Sequence, residues 1–458
     1  MNKKILVTIG ILVVVIALLG VYFIYFHKPN ILTEQQLKQK FSELEAQYKE
    51  KKAQGYDLSE VENLIKDAKH AYGRGDYKRT DELLDKAFDA LEKVPLPPPT
   101  TQPTVPPPTL TGEGFVIVCG NHFCLNGERY RFVGANKASL PEHTHQEIDD
   151  TFEEASKLKI KVMRVFVHDP LNIPNYTFEK FDYMLDSAKR HKIRLIITLA
   201  NNDRDPILYM LRAHPDLGDY EEIIKDREKA EEIRKGFFGD EEANELYRNF
   251  VYKMVTRTNS INGIQYKQDP TIFSWELMNE PANAAPSIGI LINWIEKTSS
   301  YIRSIDQNHM ISIGGEGNTK YYLTDQGENY FVKLHQIATN ISFGCFHIYG
   351  RPTLNEDDFE KVLDGLIQDA HETLNKPIVM EEYGISRRKL DHNSTRENWY
   401  QFMLDEFYSK DGDGTAFWIF TARSNLTEEE LEIENGISLH PDDAELREII
   451  KEKAKEIE

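Results

Sequence analysis

The run Ile272-Phe273-Ser274-Trp275-Glu276-Leu277-Met278-Asn279-Glu280-Pro281 begins as a short apolar segment and ends on a carboxylate followed by proline. Proline offers no N–H to a sheet ladder, so a strand through Ile272–Leu277 stops with an acid just past its end. Lys376-Pro377-Ile378-Val379-Met380-Glu381-Glu382-Tyr383-Gly384 repeats the arrangement three strands later. Similar runs rich in β-branched residues lie at Arg131–Gly134, Lys161–Val167, Arg194–Leu199, Met310–Gly314, Ile341–His347 and Thr415–Phe420, so that eight recur in all. Amphipathic helical stretches such as Thr177–His191 and Ala243–Thr258 separate most of them. Eight buried-type strands alternating with helices predict an α/β fold, a (β/α)8 TIM barrel over residues 113–458. An open doubly wound sheet is the alternative, but no Gly-x-Gly-x-x-Gly follows any strand, and Gly314-Gly315-Glu316-Gly317 lacks a phosphate-loop lysine. Phe115–Val118, Gly120–His122 and Phe123–Leu125 read as a hairpin closing the barrel's floor.

Chemistry in such a barrel sits at the C-terminal ends of its strands. Strands four and seven face each other across the mouth, which brings two carboxylates together. Glycosidic cleavage needs that pair, one acid to donate a proton and one to act as nucleophile. A single acid ending a strand is more often structural; two facing ones carry more weight. Strand alternation lets only one of Glu381 and Glu382 face the mouth.

The chain before the barrel divides into three parts. Within residues 1–30, Ile5 to Phe26 forms a 22-residue run without charge after Lys3 and Lys4. At about 1.5 Å per residue it spans roughly 33 Å, enough for a bilayer core. Its bulky end, Val21-Tyr22-Phe23-Ile24-Tyr25-Phe26, suits an uncleaved anchor better than a signal peptide, which ends in small residues. Residues 31–94 carry three amphipathic patterns: Leu37, Phe41, Leu44 and Tyr48; Leu58, Val61, Leu64 and Ala68; Leu83, Leu84, Ala87 and Leu91. Turns at Gly55-Tyr56-Asp57 and Gly73-Arg74-Gly75-Asp76 separate them, predicting a small helical module that acts as a spacer or docks a protein partner. Residues 95–112 form a Pro/Thr-rich linker, with eight prolines in the fourteen residues Pro95–Pro108, whose geometry is extended polyproline II.

Composition excludes some functions. The formal net charge is −20, a sign that argues against nucleic acid. Up to Gly112 there are 15 Lys+Arg against 14 Asp+Glu, so the excess of acid belongs to the barrel and suits a neutral substrate. His143 and His145 lie two apart in what reads as a surface loop, Pro141–Gln146, with no accompanying acid or cysteine set, and no metal or cofactor is expected. Cys119 and Cys124 flank the hairpin turn and are candidates for pairing in an oxidising compartment; Cys345 reads as core. Asn175, Asn340, Asn393 and Asn425 sit in glycosylation sequons, informative only on an exported domain.

From Phe115 onward the chain resembles glycoside hydrolase family 5, and more narrowly its endo-β-1,4-mannanase branch. The resemblance rests on Phe237-Phe238-Gly239-Asp240, Tyr247-Arg248-Asn249, Thr256-Arg257-Thr258-Asn259, Gly263, Tyr266, Asp269-Pro270-Thr271-Ile272 and the Trp275–Pro281 run. Phe132-Val133-Gly134, Met163-Arg164, Gly315-Glu316-Gly317, His347-Ile348-Tyr349 and Phe417-Trp418 add to it. It implies Glu280 as acid/base and Glu382, directly before Tyr-Gly, as nucleophile of a retaining hydrolase. It further implies that Arg164 bonds the nucleophile, Asn279 meets the sugar 2-hydroxyl, Tyr349 donates to Glu382, His347 lines the same wall and Trp418 stacks on a sugar ring, with Asn136 and Glu316 as outer hydrogen-bonding residues. Two loops depart from the branch: Asn201-Asn202 is followed by Asp203-Arg204-Asp205 rather than a tryptophan, and Tyr349 by Gly350-Arg351-Pro352 without an aromatic. The expected function is endo-hydrolysis of mannan by a barrel tethered to the outer face of the cell membrane by one span. An exo-acting mannosidase, a β-glucanase or glucomannanase, and an inactive glycan-binding protein are the alternatives.

Overall fold

The computed structural model describes residues 33–53, 58–93, 114–317, 319–324, 327–349, 355–386, 395–423 and 437–458. The apolar run Ile5–Phe26 and the whole of the linker 95–112 lie outside them; among the described residues no helix is long and apolar enough to cross a membrane. The chain divides into two compact units, Met1–Pro106 and Pro107–Glu458.

In the first unit, α1 (Glu34–Ala53), α2 (Ser59–Gly73) and α3 (Tyr77–Lys93) bury one stripe each. Leu37, Leu44, Val61, Ala68, Leu84 and Leu91 form a core of their own, all at most 1% exposed. The periodic apolar positions of the sequence are the residues that meet there.

In the second unit, three short strands precede the barrel: β1 (Val116–Cys119), β2 (His122–Leu125) and β3 (Glu128–Arg129). Gly120, at a φ of 64°, takes the left-handed conformation that a two-residue hairpin turn asks of its first position. Cys119 and Cys124 on either side of this turn are disulfide-bonded. Phe123 is fully buried against Phe273 and Phe343, at 5.1 and 5.3 Å between ring centres, so the hairpin plugs the end where the barrel strands begin. His122 and His371 each bond Asp413, tying the hairpin and a barrel helix to the root of the last strand.

The barrel strands are β4 (Phe132–Asn136), β5 (Val162–Phe166), β6 (Arg194–Thr198), β7 (Ile272–Glu276), β8 (Met310–Ser312), β9 (Gly344–Tyr349), β10 (Ile378–Gly384) and β11 (Gly414–Phe417). All are parallel, in the order β8-β7-β6-β5-β4-β11-β10-β9. Bonds from Ser342 N–H to the Ile311 carbonyl (2.8 Å) and from His347 N–H to that of Glu316 (3.4 Å) span the seam between β8 and β9. Every predicted strand is present, because each was an apolar run too short for a helix and bounded by turn residues.

Two local readings differ from expectation. The segment around His143 and His145 is not a loop: Thr144 caps the helix His145–Lys157 with a full capping box, and the His145 ring stacks on Tyr183 at 3.6 Å. In β10 the register shifts between Met380 and Glu382. That bulge breaks strict alternation, so Glu381 and Glu382 both turn toward the barrel interior, Glu381 the deeper of the two.

Candidate active site

Glu280 lies just beyond β7 in the left-handed region, at φ 47° and ψ 53°, a conformation few non-glycine residues adopt. Pro281 starts a 3₁₀ turn, Pro281–Asn283, immediately after it. The Asn202 side-chain amide donates to the Glu280 carbonyl at 2.6 Å and holds this turn over the mouth. Asn283 donates from its side chain to Glu280 Oε2 at 2.9 Å and from its backbone to Glu316 Oε1 at 3.0 Å.

Opposite, Glu382 is 4% exposed, with Arg164 Nη1 donating to Oε1 at 2.7 Å and the Tyr349 hydroxyl donating to Oε2. His347 stands between the two acids, with Nδ1 2.8 Å from Glu280 Oε1 and 3.6 Å from Glu382 Oε2. A carboxylate oxygen of each glutamate and a His347 ring nitrogen all lie within 4.8 Å of one another.

These contacts set the protonation states. Burial disfavours charge on His347, but the Glu382 charge, the bond to Glu280 and the approach of Glu381 to 3.9 Å outweigh it and raise the imidazole to about 10, so it is cationic at neutral pH. Burial alone would raise Glu280; the His347 hydrogen bond and charge, with Asn283, instead hold it below the ordinary carboxylate range. Burial pushes Glu316 up to about 7, the nearby Glu280 charge adding to the effect. Tyr349 is raised well above its ordinary value, first by burial and then by Glu382, and stays a donor.

The residues singled out from sequence converge here, with two changes of place. Asn136 is fully buried and turns its amide to the carbonyls of Glu381, Ala416 and Phe417 at 2.9, 3.0 and 3.3 Å while accepting from Arg164 at 3.1 Å. It braces Arg164 and β10 from behind and offers no surface to a sugar. Arg164 is equally buried and reaches a substrate only through Glu382 and Asn279, whose Oδ1 it bonds at 2.8 Å. Asn279 also donates to Asn201 Oδ1 at 3.1 Å. Trp418, half-buried at the end of β11, stands 6.1 Å from the Phe166 ring, and Phe166 in turn lies under the Arg164 guanidinium. The altered run Asp203-Arg204-Asp205 leads into the helix Asp205–Ala213, and the Asp205 carboxylate takes the Asn201 N–H at 2.6 Å and His168 at 2.7 Å. The other altered loop, 350–354, lies outside the described residues.

Sequence reasoning missed Asn202, Asn283 and Phe166 as members of the site. Asn283 alone had a local signal, two residues past the proline that ends the quoted run; the rest become neighbours only when the barrel closes.

Residues 150–439 match the family model described as GH family 5 beta-mannosidase-like. Similar proteins include mannan endo-1,4-beta-mannosidase 5 of Arabidopsis thaliana, 27% identical over 345 residues, covering 67% of this chain and 78% of that one. Mannan endo-1,4-beta-mannosidase 5 of Solanum lycopersicum is 29% identical over 357 residues, covering 68% and 82%. Among solved structures, the endo-beta-1,4-mannanase of Thermotoga petrophila superimposes with a TM-score of 0.59 at 27% identity, over 72% of this chain and 77% of that one. The chain is a glycoside hydrolase and belongs to family 5, in its endo-mannanase-like, beta-mannosidase-like branch.

Proposed function

We propose that the protein hydrolyses internal β-1,4-mannosidic bonds of mannan-type polysaccharides by double displacement, with retention of configuration. The observation that carries this reading is the approach of Glu280 and Glu382 oxygens to within 4.8 Å around His347. Retention works with carboxyl groups about 5–5.5 Å apart, whereas inversion keeps about 6.5–9.5 Å for an intervening water. The plant and Thermotoga relatives support the choice of linkage. Beside cationic His347 the neutral form of Glu280 is the minor one, and it is this form that protonates the glycosidic oxygen while Glu382 attacks C1 and forms a glycosyl ester; Glu280, now ionised, then takes a proton from water, which attacks C1 and frees Glu382. Arg164 and Tyr349 aim the nucleophile by holding one oxygen each. Asn279 and Glu316 line the sugar-binding side, and Trp418 offers an apolar face to a ring.

The test is hydrolysis of β-mannan, glucomannan, cellulose and short manno-oligosaccharides, with Glu382→Ala as the blank and NMR of the anomer formed first. Mixed oligosaccharides from mannan, released as the β anomer, are expected. Initial release of the α anomer sinks the pairing of roles, and intact polymer beside cleaved oligosaccharides sinks endo action.

The same reading tethers the barrel outside the cell through the apolar run Ile5–Phe26. Its support is the length of that run and the extracellular location of polymeric mannan. Membrane fractionation and protease treatment of intact cells test it; a barrel left untouched by protease refutes the placement.

A further inference from the structure

Strand β7 carries a second glutamate that the double displacement does not use. Glu276 is fully buried, in register with Thr198 on β6 and Ser312 on β8. Its Oε1 accepts from Arg164 Nη2 at 2.7 Å, Arg164 Nε at 3.0 Å and Thr198 Oγ1 at 2.8 Å. The remaining N–H groups of Arg164 go to Asn136, Glu382 and Asn279, so all of the guanidinium is committed and Glu276 fixes its inner edge. Gly314, at φ 80°, makes room for this carboxyl: a Cβ there would stand 2.7 Å from Glu276 Oε1.

Deeper still lies Glu381, also fully buried, 4.0 Å from Arg164 Nε and 3.9 Å from His347 Nε2. Neither of its oxygens has a hydrogen-bond donor within reach, and Arg164 Nε stands between it and Glu276, at 4.0 Å from Glu381 Oε2 and 3.0 Å from Glu276 Oε1, so the two carboxyls act on each other. Two neighbouring carboxyls away from water disfavour a second negative charge, and the cations Arg164 and His347 beside them are already matched by Glu382 and Glu280, which leaves one proton to the pair. Titratable groups around the pair are Arg164 on β5, His347 and Cys345 on β9 and Glu382 on β10, with Tyr247 from the helix Glu241–Thr256 acting on Glu276 and His335 from the helix Tyr330–Ile337 acting on Glu381.

We propose that Glu276 and Glu381 form a proton-sharing pair beneath the active site, whose single negative charge positions Arg164 and His347 and through them Glu382 and Glu280. Both are positioning residues, and the proposal rests on the hydrolase reading only for its kinetic arm. Burial and the neighbouring carboxyl raise the proton-holding member above the usual range, in keeping with a pair neutral by one proton at pH 7.

The test uses the full chain with Glu276→Gln, Glu381→Gln, the double variant and Glu276→Ala. Either single amide copies the protonated member, so kcat on mannan is expected to stay within about fivefold of wild type; the double variant removes the charge and is expected to lose about a hundredfold in kcat with KM nearly unchanged. Single amides as inactive as Glu382→Gln, or a double variant with wild-type kcat and pH profile, would overturn the proposal. Independently of any substrate, infrared spectra at pH 7 in a Glu316→Gln background should show the C=O stretch of a buried protonated carboxyl, lost in either single variant. Absence of the band, or its survival in both, refutes the shared proton even if the enzyme cuts mannan. If the band behaves as expected and mannan is not cut, the hydrolase reading alone falls.

Discussion

Glu280 and Glu382 differ in what surrounds them, and that difference is testable. Glu382→Ala should abolish turnover of every substrate, because no ester forms without the nucleophile. Glu280→Ala should slow mannan hydrolysis by about 10²–10⁴, the usual worth of general acid catalysis, while bond cleavage in an aryl mannoside with an acidic leaving group, which needs no proton, suffers far less. Equal losses on both substrates would contradict the acid role. His347 holds Glu280 below its ordinary pKa, so His347→Asn should raise it and move the alkaline limb of kcat/KM to higher pH; an unmoved limb would mean that the imidazole does not govern the acid. The same residue links pH to stability. His347 rises from 6.5 to about 10 on folding, so its contribution is complete below about pH 6.5 and is lost as pH climbs toward 10. Thermal melts should therefore fall across that window in the wild type and more shallowly in His347→Asn.

At the scale of elements, the hairpin β1–β2 and the bulge in β10 do the positioning. The hairpin seals the floor through Phe123, and its disulfide closes a loop of only five residues' separation. Removing it by Cys119→Ser with Cys124→Ser should cost at most about 2 kcal/mol on a chain-entropy basis and leave kcat unchanged well below the melting temperature. Urea denaturation and a rate assay check both; a fall in kcat would mean that the floor is coupled to the mouth. The bulge was invisible beforehand. Glu381-Glu382 reads as an alternating pair, and only the register against β9 and β11 shows both carboxyls turned inward.

At the scale of the molecule, two units each own a core. Deleting residues 1–106 is therefore expected to leave kcat/KM on soluble substrate within about twofold, read by initial rates; a large loss would show that the helical module takes part in catalysis or in folding of the barrel. The module's three helices were legible because their apolar residues recur at three and four.

The sequence by itself determined the eight strands, the helical spacing between them and the two strand-end glutamates, since periodicity and proline stops are local properties of the chain. It also carried the family, through a run of matched residues around Glu280. Only the tertiary structure decided that Asn136 braces rather than binds, that Asn202 and Asn283 clamp Glu280, and that Glu276 and Glu381 both come up beneath Arg164. Those pairings join residues between 3 and 281 positions apart, most of them far beyond any local pattern, and barrel closure in one particular register is what brings them together.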